Sequence, residues 1–300
     1  MICKGRVVVI TGAGRGLGRA HALEFARQGA RVVVNDLGVN ADGDGGSAGP
    51  AERVAAEIRT SGGAAVAVAG DAADPEDAAA LVRTALEEFG GLDTLVTNAG
   101  FVRDRMLVNL PLDDWEAVLR VHLTGHFLPL RHAAAHWRAA AKAGHPVDAR
   151  VIATSSGAGL LGSVGQANYS AAKAGIVGLT LVAAAELRRY GVRVNAIAPA
   201  ARTRMTDGVF ADTMRRPADG SFDRMAPENV SPLVVWLGSA DSADVTGRVF
   251  EVEAGRICVM EGYRHGPATD KGARWDPAEV GPAVRRLLAT AAAPEPPYGG

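Results

Sequence analysis

The strongest constraint on this chain is a rhythm. Short runs rich in Val and Ile, at 6–11, 31–36, 64–69, 92–97, 150–155, 192–197 and 248–252, alternate with longer helical stretches at 16–28, 51–60, 75–89, 112–143, 167–190 and 227–237. The short runs are mostly apolar at successive positions rather than at every second one. That is the pattern of strands buried on both faces. Strands of this kind joined through helices form a parallel sheet with right-handed crossovers and helices on both sides. The sequence therefore predicts an α/β fold.

Composition narrows the function classes. The chain has 300 residues, 48% of them hydrophobic, and a formal net charge of −1. This supports a large core, and with no Lys/Arg-rich block it argues against nucleic acid as a partner. The apolar runs read as too short, or too often broken by Gly or charge, to span a bilayer, so no membrane role is expected. The opening residues run straight into a strand with no signal-type segment. Cys3 and Cys258 are isolated, as reduced thiols of a cytoplasmic protein would be. No internal linker or repeat is evident. Residues 1–255 are expected to form the main body of one domain, with 256–300 as a C-terminal extension of the same domain. Three stretches break the rhythm: 39–50, 200–226 and 256–300, with 291–300 reading as a poorly ordered tail.

Thr11-Gly12-Ala13-Gly14-Arg15-Gly16-Leu17-Gly18 lies where the first strand turns into the first helix. Glycines there let the backbone turn tightly and approach a pyrophosphate, and the helix N-terminus offers N–H groups to the anion. Asp36 ends the second strand, about 20 residues past the glycines, where a carboxylate accepts hydrogen bonds from the adenosine ribose of NAD and repels the extra phosphate of NADP. Arg15 pulls the other way, and we weight Asp36 above it, so the expected cofactor is NAD. Asn98-Ala99-Gly100 follows the fourth strand, and Asp71 ends the third, facing the adenine.

Tyr169 and Lys173 stand four residues apart on a helical run, on one face. An ammonium beside a phenol favours tyrosinate, which suits acid–base work. Ser156, at the end of the fifth strand, falls in the same crevice and can hold a substrate oxygen.

Together these pieces resemble the short-chain dehydrogenase/reductase family: Thr11-Gly-x-x-x-Gly-x-Gly18, Asn98-Ala-Gly100, Ser156, Tyr169-Ser-Ala-Ala-Lys173 and Asn195-Ala-Ile-Ala-Pro199, in order over roughly 5–255. The resemblance implies a three-layer Rossmann-type sandwich with a seven-stranded parallel sheet. It implies Tyr169 as the acid/base, Lys173 on the nicotinamide ribose, Ser156 orienting substrate, Pro199 beside the nicotinamide, and a homotetramer or homodimer built on the 167–190 helix. That helix carries the small residues Ala171, Ala172, Gly175 and Gly178. Val34-Asn-Asp-Leu-Gly38, Arg103-Asp-Arg-Met106, Arg120-Val-His-Leu123, Gly165-Gln-Ala-Asn-Tyr169 and Arg204-Met-Thr206 are similar to the (3R)-hydroxyacyl-CoA dehydrogenase domains of peroxisomal multifunctional enzymes of type 2, a group also classed as 17β-hydroxysteroid dehydrogenases. This implies a 3-hydroxyacyl-CoA/3-oxoacyl-CoA substrate pair. An acyl-carrier-protein or polyketide ketoreductase, a hydroxysteroid dehydrogenase and a silent NAD sensor stay open as alternatives. His122 stands where the family often has Asn, and Pro199-Ala200 where it has Pro-Gly.

The pairs His122/His126 and His132/His136 have metal-ligand spacing but no third ligand in a recognised pattern, and no metal is expected. The substrate pocket is expected from 200–226 and part of 256–276. Met205, Val209, Phe210 and Met214 would meet an acyl chain, and Arg202, Arg204, Arg215 and Arg216 its charged carrier.

Overall fold

The computed structural model describes residues 1–39, 46, 49–203 and 214–298. Its strands are β1 (Val7–Ile10), β2 (Arg31–Asp36), β3 (Ala64–Ala69), β4 (Thr94–Thr97), β5 (Ala149–Thr154), β6 (Val192–Ala200), β7 (Val249–Glu253) and β8 (Arg256–Val259). They lie side by side in the order β3-β2-β1-β4-β5-β6-β7-β8. The first seven are parallel, as expected. The eighth is a correction: the start of the C-terminal extension turns back and pairs antiparallel with β7, Phe250 opposite Val259. The turn is tight because Ala254 takes φ 51°, letting Gly255 and Arg256 reverse the chain at once.

Helices α1 (Gly16–Arg27), α2 (Gly49–Thr60), α3 (Pro75–Phe89), α4 (Leu112–Leu119), α5 (Gly125–Lys142), α6 (Gly157–Leu161), α7 (Ala167–Leu187) and α8 (Ser231–Leu237) accompany the sheet, and α9 (Pro277–Leu288) follows in the C-terminal extension. Local chemistry sets their ends. The Asp74 side chain accepts from the backbone N–H groups of Glu76 and Asp77, Pro75 follows it, and Gly90 ends α3 at φ 79°. The expected single helix over 112–143 is interrupted: a π-helical turn at Arg120–Thr124 separates α4 from α5. Such turns cluster at functional sites because they re-aim one side chain, here His122. The short α6 and the amphipathic α9 escape the sequence reading, α6 because five residues are too few to show a period.

Two apolar clusters fill the spaces on either side of the sheet. One joins Val8, Ile10, Val32 and Val34 to Phe25, Ile58 and Leu237. The other joins Val9, Val33, Leu95 and Val151 to Leu81, Trp137 and Leu187. Alternate residues of one strand thus enter opposite layers, which is why the strands read as continuously apolar. The Trp137 indole N–H donates to Leu92 O at 2.6 Å.

Helix α7 corrects one expectation. With the turn after it, 167–190 is long and apolar enough, by length and composition, to cross a membrane. Here it packs on β6, with Ala172, Lys173, Ile176, Thr180 and Leu187 buried, as a core helix does. Ala172 therefore faces its own subunit, whereas Ala171, Ala174, Gly178, Leu181, Val182 and Ala185 are exposed.

Candidate active site

The glycine loop and the turn after β4 lock together backbone to backbone. Gly12 has φ 63°, and a Cβ there would lie 2.7 Å from Ala99 Cα. A Cβ on Gly18 would lie 2.2 Å from Gly12 O. Glycine is thus required by space as well as by conformation. Thr11 Oγ1 accepts from the backbone N–H of Asn98 at 2.9 Å and of Ala99 at 3.2 Å, and Asn98 Nδ2 donates to Thr11 O at 3.1 Å and Gly12 O at 3.2 Å. No side chain caps α1, and its first turn carries no acid, which leaves the N-terminal end suited to an anion.

A crevice runs along the carboxyl ends of the strands. Gly12, Arg15, Gly16, Leu17, Asp36, Asp71, Asn98, Ala99 and Gly100 line it, so the structure brings most of the predicted cofactor residues together. Gly18 sits beneath, supporting Gly12. Phe101, Arg120, Val121 and Thr203 line the crevice too, unforeseen from the sequence. Asp36 Oδ2 accepts from Gly14 N–H at 2.8 Å and Oδ1 from Gly38 N–H at 2.7 Å, fixing the carboxylate beside the loop. Each oxygen keeps a lone pair for a ribose hydroxyl. Arg15 donates to Val39 O at 2.8 Å. Asp71 is ion-paired with Arg120 at 2.7 Å, so the rim opposite Asp36 is charge-balanced.

Tyr169, Lys173 and Ser156 meet at the neighbouring strand ends. Ser156 caps α6, accepting from Ala158 N–H at 3.2 Å, and its hydroxyl lies near enough to the Tyr169 phenol to favour the phenolate. Lys173 Nζ donates to Thr154 O at 2.6 Å and lies 5.5 Å from the centre of the Tyr169 ring. Burial pushes the Tyr169 phenol up to about 12 and pulls the Lys173 ammonium down to about 7. Pro199 is paired with Val252 near the carboxyl end of β6.

His122 links the two halves. Its ring is edge-on to Tyr169 at 5.1 Å, and a Cβ on Gly100 would lie 2.2 Å from its Cε1. The 2.6 Å contact between Nε2 and Phe101 O makes Nε2–H the donor. Burial first, then the nearby Lys173 charge, lowers its pKa to about 3, so the ring is neutral.

The Arg103-Asp104-Arg105 and Gln166-Ala167-Asn168 segments prove to be the scaffold of Tyr169. Asn168 Nδ2 donates to Arg103 O at 3.0 Å and its Oδ1 accepts from Tyr169 N–H at 2.8 Å. Gln166 Nε2 donates to Asp104 Oδ2 at 3.0 Å, and Arg103 pairs with Asp114 at 3.0 Å. The sequence held the signal, in residues beyond the general motif, but not their geometry.

Of the expected substrate-pocket residues, Arg204, Met205, Val209 and Phe210 lie outside the described residues. Arg202 is ion-paired with Asp223 and donates to Met214 O at 2.7 Å; Arg216 lies 3.6 Å from the same carboxylate. Arg202 is thus a brace within its loop, not a group held out for a carrier phosphate. The 256–276 segment lies within the described residues. It forms β8, packs Met260 against the cluster of Ala153, Ile176, Ala196 and Val249, and then runs exposed through 261–274.

A fold of this topology, with a glycine loop against an Asn-Ala-Gly turn and a Ser, Tyr and Lys at the strand ends, defines a nicotinamide-dependent oxidoreductase. The sequence profile of the short chain dehydrogenases matches residues 6–213, and the chain belongs to that family. It is 46% identical over 288 residues to hydroxyacyl-CoA dehydrogenase ChsB1 of Mycobacterium tuberculosis, covering 95% of this chain and 89% of that one. It is 45% identical to mouse peroxisomal multifunctional enzyme type 2 over 84% of its own length, which is 32% of that longer protein. A crystal structure of a short chain dehydrogenase from Mycobacterium avium superposes with a TM-score of 0.90 at 60% identity, covering both chains fully.

Proposed function

We propose that this enzyme interconverts a 3-hydroxyacyl-CoA and a 3-oxoacyl-CoA with NAD(H). The substrate class rests on one observation: the likeness to hydroxyacyl-CoA dehydrogenase ChsB1 spans 95% of the chain and so includes the substrate-facing loops. The preference for NAD rests on Asp36, whose carboxylate is pinned by two backbone N–H groups beside the glycine loop, where the 2′-phosphate of NADP would bring like charge.

The residues fit the cofactor. Gly12, Arg15 and Gly16 line the crevice at the uncapped start of α1, where a Cβ on Gly16 would meet nothing nearer than Thr203 at 3.6 Å, and Asp36 suits ribose hydroxyls. When bound, the nicotinamide accepts or returns the hydride. Ser156 and Tyr169 present two hydroxyls to the substrate oxygen. In oxidation the Tyr169 oxygen takes the hydroxyl proton as the C–H bond breaks; in reduction it returns a proton to the forming alkoxide. The high affinity of Tyr169 for its proton makes it a poor base unaided, so a positive charge must favour its anion. Lys173 lies close enough to supply one when protonated. His122, neutral and donating to Phe101 O, packs the phenol ring from its edge.

A second reading has its own support. The chain is 38% identical to a 3-oxoacyl-[acyl-carrier-protein] reductase of Synechocystis, over 84% of this chain and 97% of that one. Specificity constants for one 3-oxoacyl group carried on CoA, on acyl carrier protein and on a short N-acetylcysteamine arm decide the matter. We expect CoA to lead by about tenfold or more. Equal constants for CoA and the short arm would end the CoA reading.

We propose also that the enzyme is a homotetramer or homodimer. The exposed Ala171, Ala174, Gly178, Leu181 and Val182 of α7, beside exposed Phe127 of α5, support this, since small residues let two helices approach closely. The thiols of Cys3 and Cys258, both unpaired, fit work in the cytoplasm.

A further inference from the structure

The end of the chain returns to the active site. After α9, residues 292–297 are exposed, yet Tyr298 is half-buried. Its backbone N–H donates to Gly162 O at 2.7 Å, just past α6. Its ring rests on Gly157, the residue after Ser156: a Cβ built on Gly157 would fall 2.3 Å from Tyr298 Cδ2 and 2.4 Å from Cε2. No side chain larger than hydrogen fits under that ring, so the contact is a fitted one. The arm leading to it, Ala293-Pro294-Glu295-Pro296-Pro297, has three prolines. Proline has no N–H and favours an extended, stiff course, so such an arm holds its last residue at a set reach.

We propose that Tyr298 is a specificity-determining residue that forms one wall of the substrate site and limits the girth of the group beside the reacting carbon. This rests on the oxidoreductase reading of Ser156 and Tyr169, and deepens it. The ring occupies the α6 side of Ser156, and an ionised Tyr298 oxygen would oppose ionisation of Tyr169, which places the two phenols within electrostatic reach. Burial, then Glu253 and Glu251, raises the Tyr298 pKa, so at neutral pH its hydroxyl is neutral and the wall is a ring with one polar edge. A substrate held by Ser156 and Tyr169 meets this ring first if it is broad on that side.

The experiment compares Tyr298→Ala and Tyr298→Phe with the parent chain. Two ketone series are used, 3-oxoacyl-CoA thioesters and carrier-free β-ketoesters, each with a slender and a ring-bearing acyl group. The reported quantity is the ratio of kcat/KM for the bulky member to that for the slender one. NADH binding by fluorescence confirms that each variant is folded. The expected result is a rise in that ratio of about tenfold for Tyr298→Ala, and no change for Tyr298→Phe, which keeps the ring. Gly157→Ala should expel the ring and raise the ratio likewise, and adding Tyr298→Ala to it should change nothing more. A ratio that stays within about twofold in Tyr298→Ala, or activity that falls equally for all substrates, overturns the wall. A size effect seen only with β-ketoesters keeps the wall and removes the CoA reading. A CoA preference with no size effect does the reverse. If the parent chain turns over neither series, both fail.

Discussion

Two side chains carry the sharpest consequences. Tyr169 has its hydroxyl between Ser156 and the substrate side, while its ring is held by His122 and its backbone by Asn168. Tyr169→Phe keeps every packing contact and removes the proton. We expect kcat to fall by about 10²-fold or more, with NADH binding within about twofold, read by steady-state kinetics and fluorescence titration. Asp36 has the opposite signature. Asp36→Ala should leave kcat with saturating NADH nearly unchanged and cut the NADH-over-NADPH preference by about tenfold, through loss of the ribose acceptor and of the repulsion. NADPH binding tighter than NADH in the parent chain would refute the NAD assignment and turn attention to Arg15.

The π-helical turn between α4 and α5 carries His122. It drives the His122 ring between Gly100 and Tyr169, so the Asn-Ala-Gly turn and the catalytic helix are coupled through one imidazole. Gly100→Ala would place a methyl 2.2 Å from His122 Cε1. Overpacking of this kind costs about 1–3 kcal/mol, and urea denaturation should show it. His122→Ala should relieve part of that cost in the double variant; strictly additive effects would mean that the two residues do not meet. The same coupling predicts that Gly100→Ala lowers kcat as well as cofactor affinity, although Gly100 lies on the cofactor side.

Buried histidines set the acid response of the molecule as a whole. His21, hydrogen-bonded to Ser231 at 2.9 Å, and His122 both have pKa values lowered to about 3, chiefly by burial, and burial also holds His126 well below the ordinary imidazole range. In the unfolded chain each titrates near 6.5. Between 6.5 and about 3 the unfolded state therefore binds more protons, and stability rises with pH. Acidification from about pH 7 to about pH 5 should lower the urea midpoint, before the carboxylates paired in the fold, such as Asp148, begin to protonate. A midpoint flat across that window would show that these rings are not buried neutral. Assembly is open to as direct a check. Val182→Glu on the exposed face of α7 should shift light scattering from a tetramer or dimer toward monomer, with the fold intact.

The parallel sheet, the sequence positions of its first seven strands and the residues of the cofactor crevice were legible in the residues alone, because they depend on local rules. Short Val/Ile runs alternating with helical stretches read as strands covered on both faces, and a glycine loop between strand and helix reads as a place where backbone comes close to a ligand. Tyr169 and Lys173 share a face because helical spacing makes them do so. What needed the tertiary structure was everything joining residues far apart in sequence. The role of His122 depends on a π turn and on its meeting Gly100 and Tyr169 in space. Arg202 was readable as a cation but not as the partner of Asp223. The eighth strand, four residues long, is too short to announce itself, and it exists because the exposed edge of β7 pairs with the chain that follows. Tyr298 closes the list. In sequence it is one aromatic in a proline-rich end with the composition of a loose tail. Only the missing side chain at Gly157, some 140 residues earlier, shows why it has a place to rest.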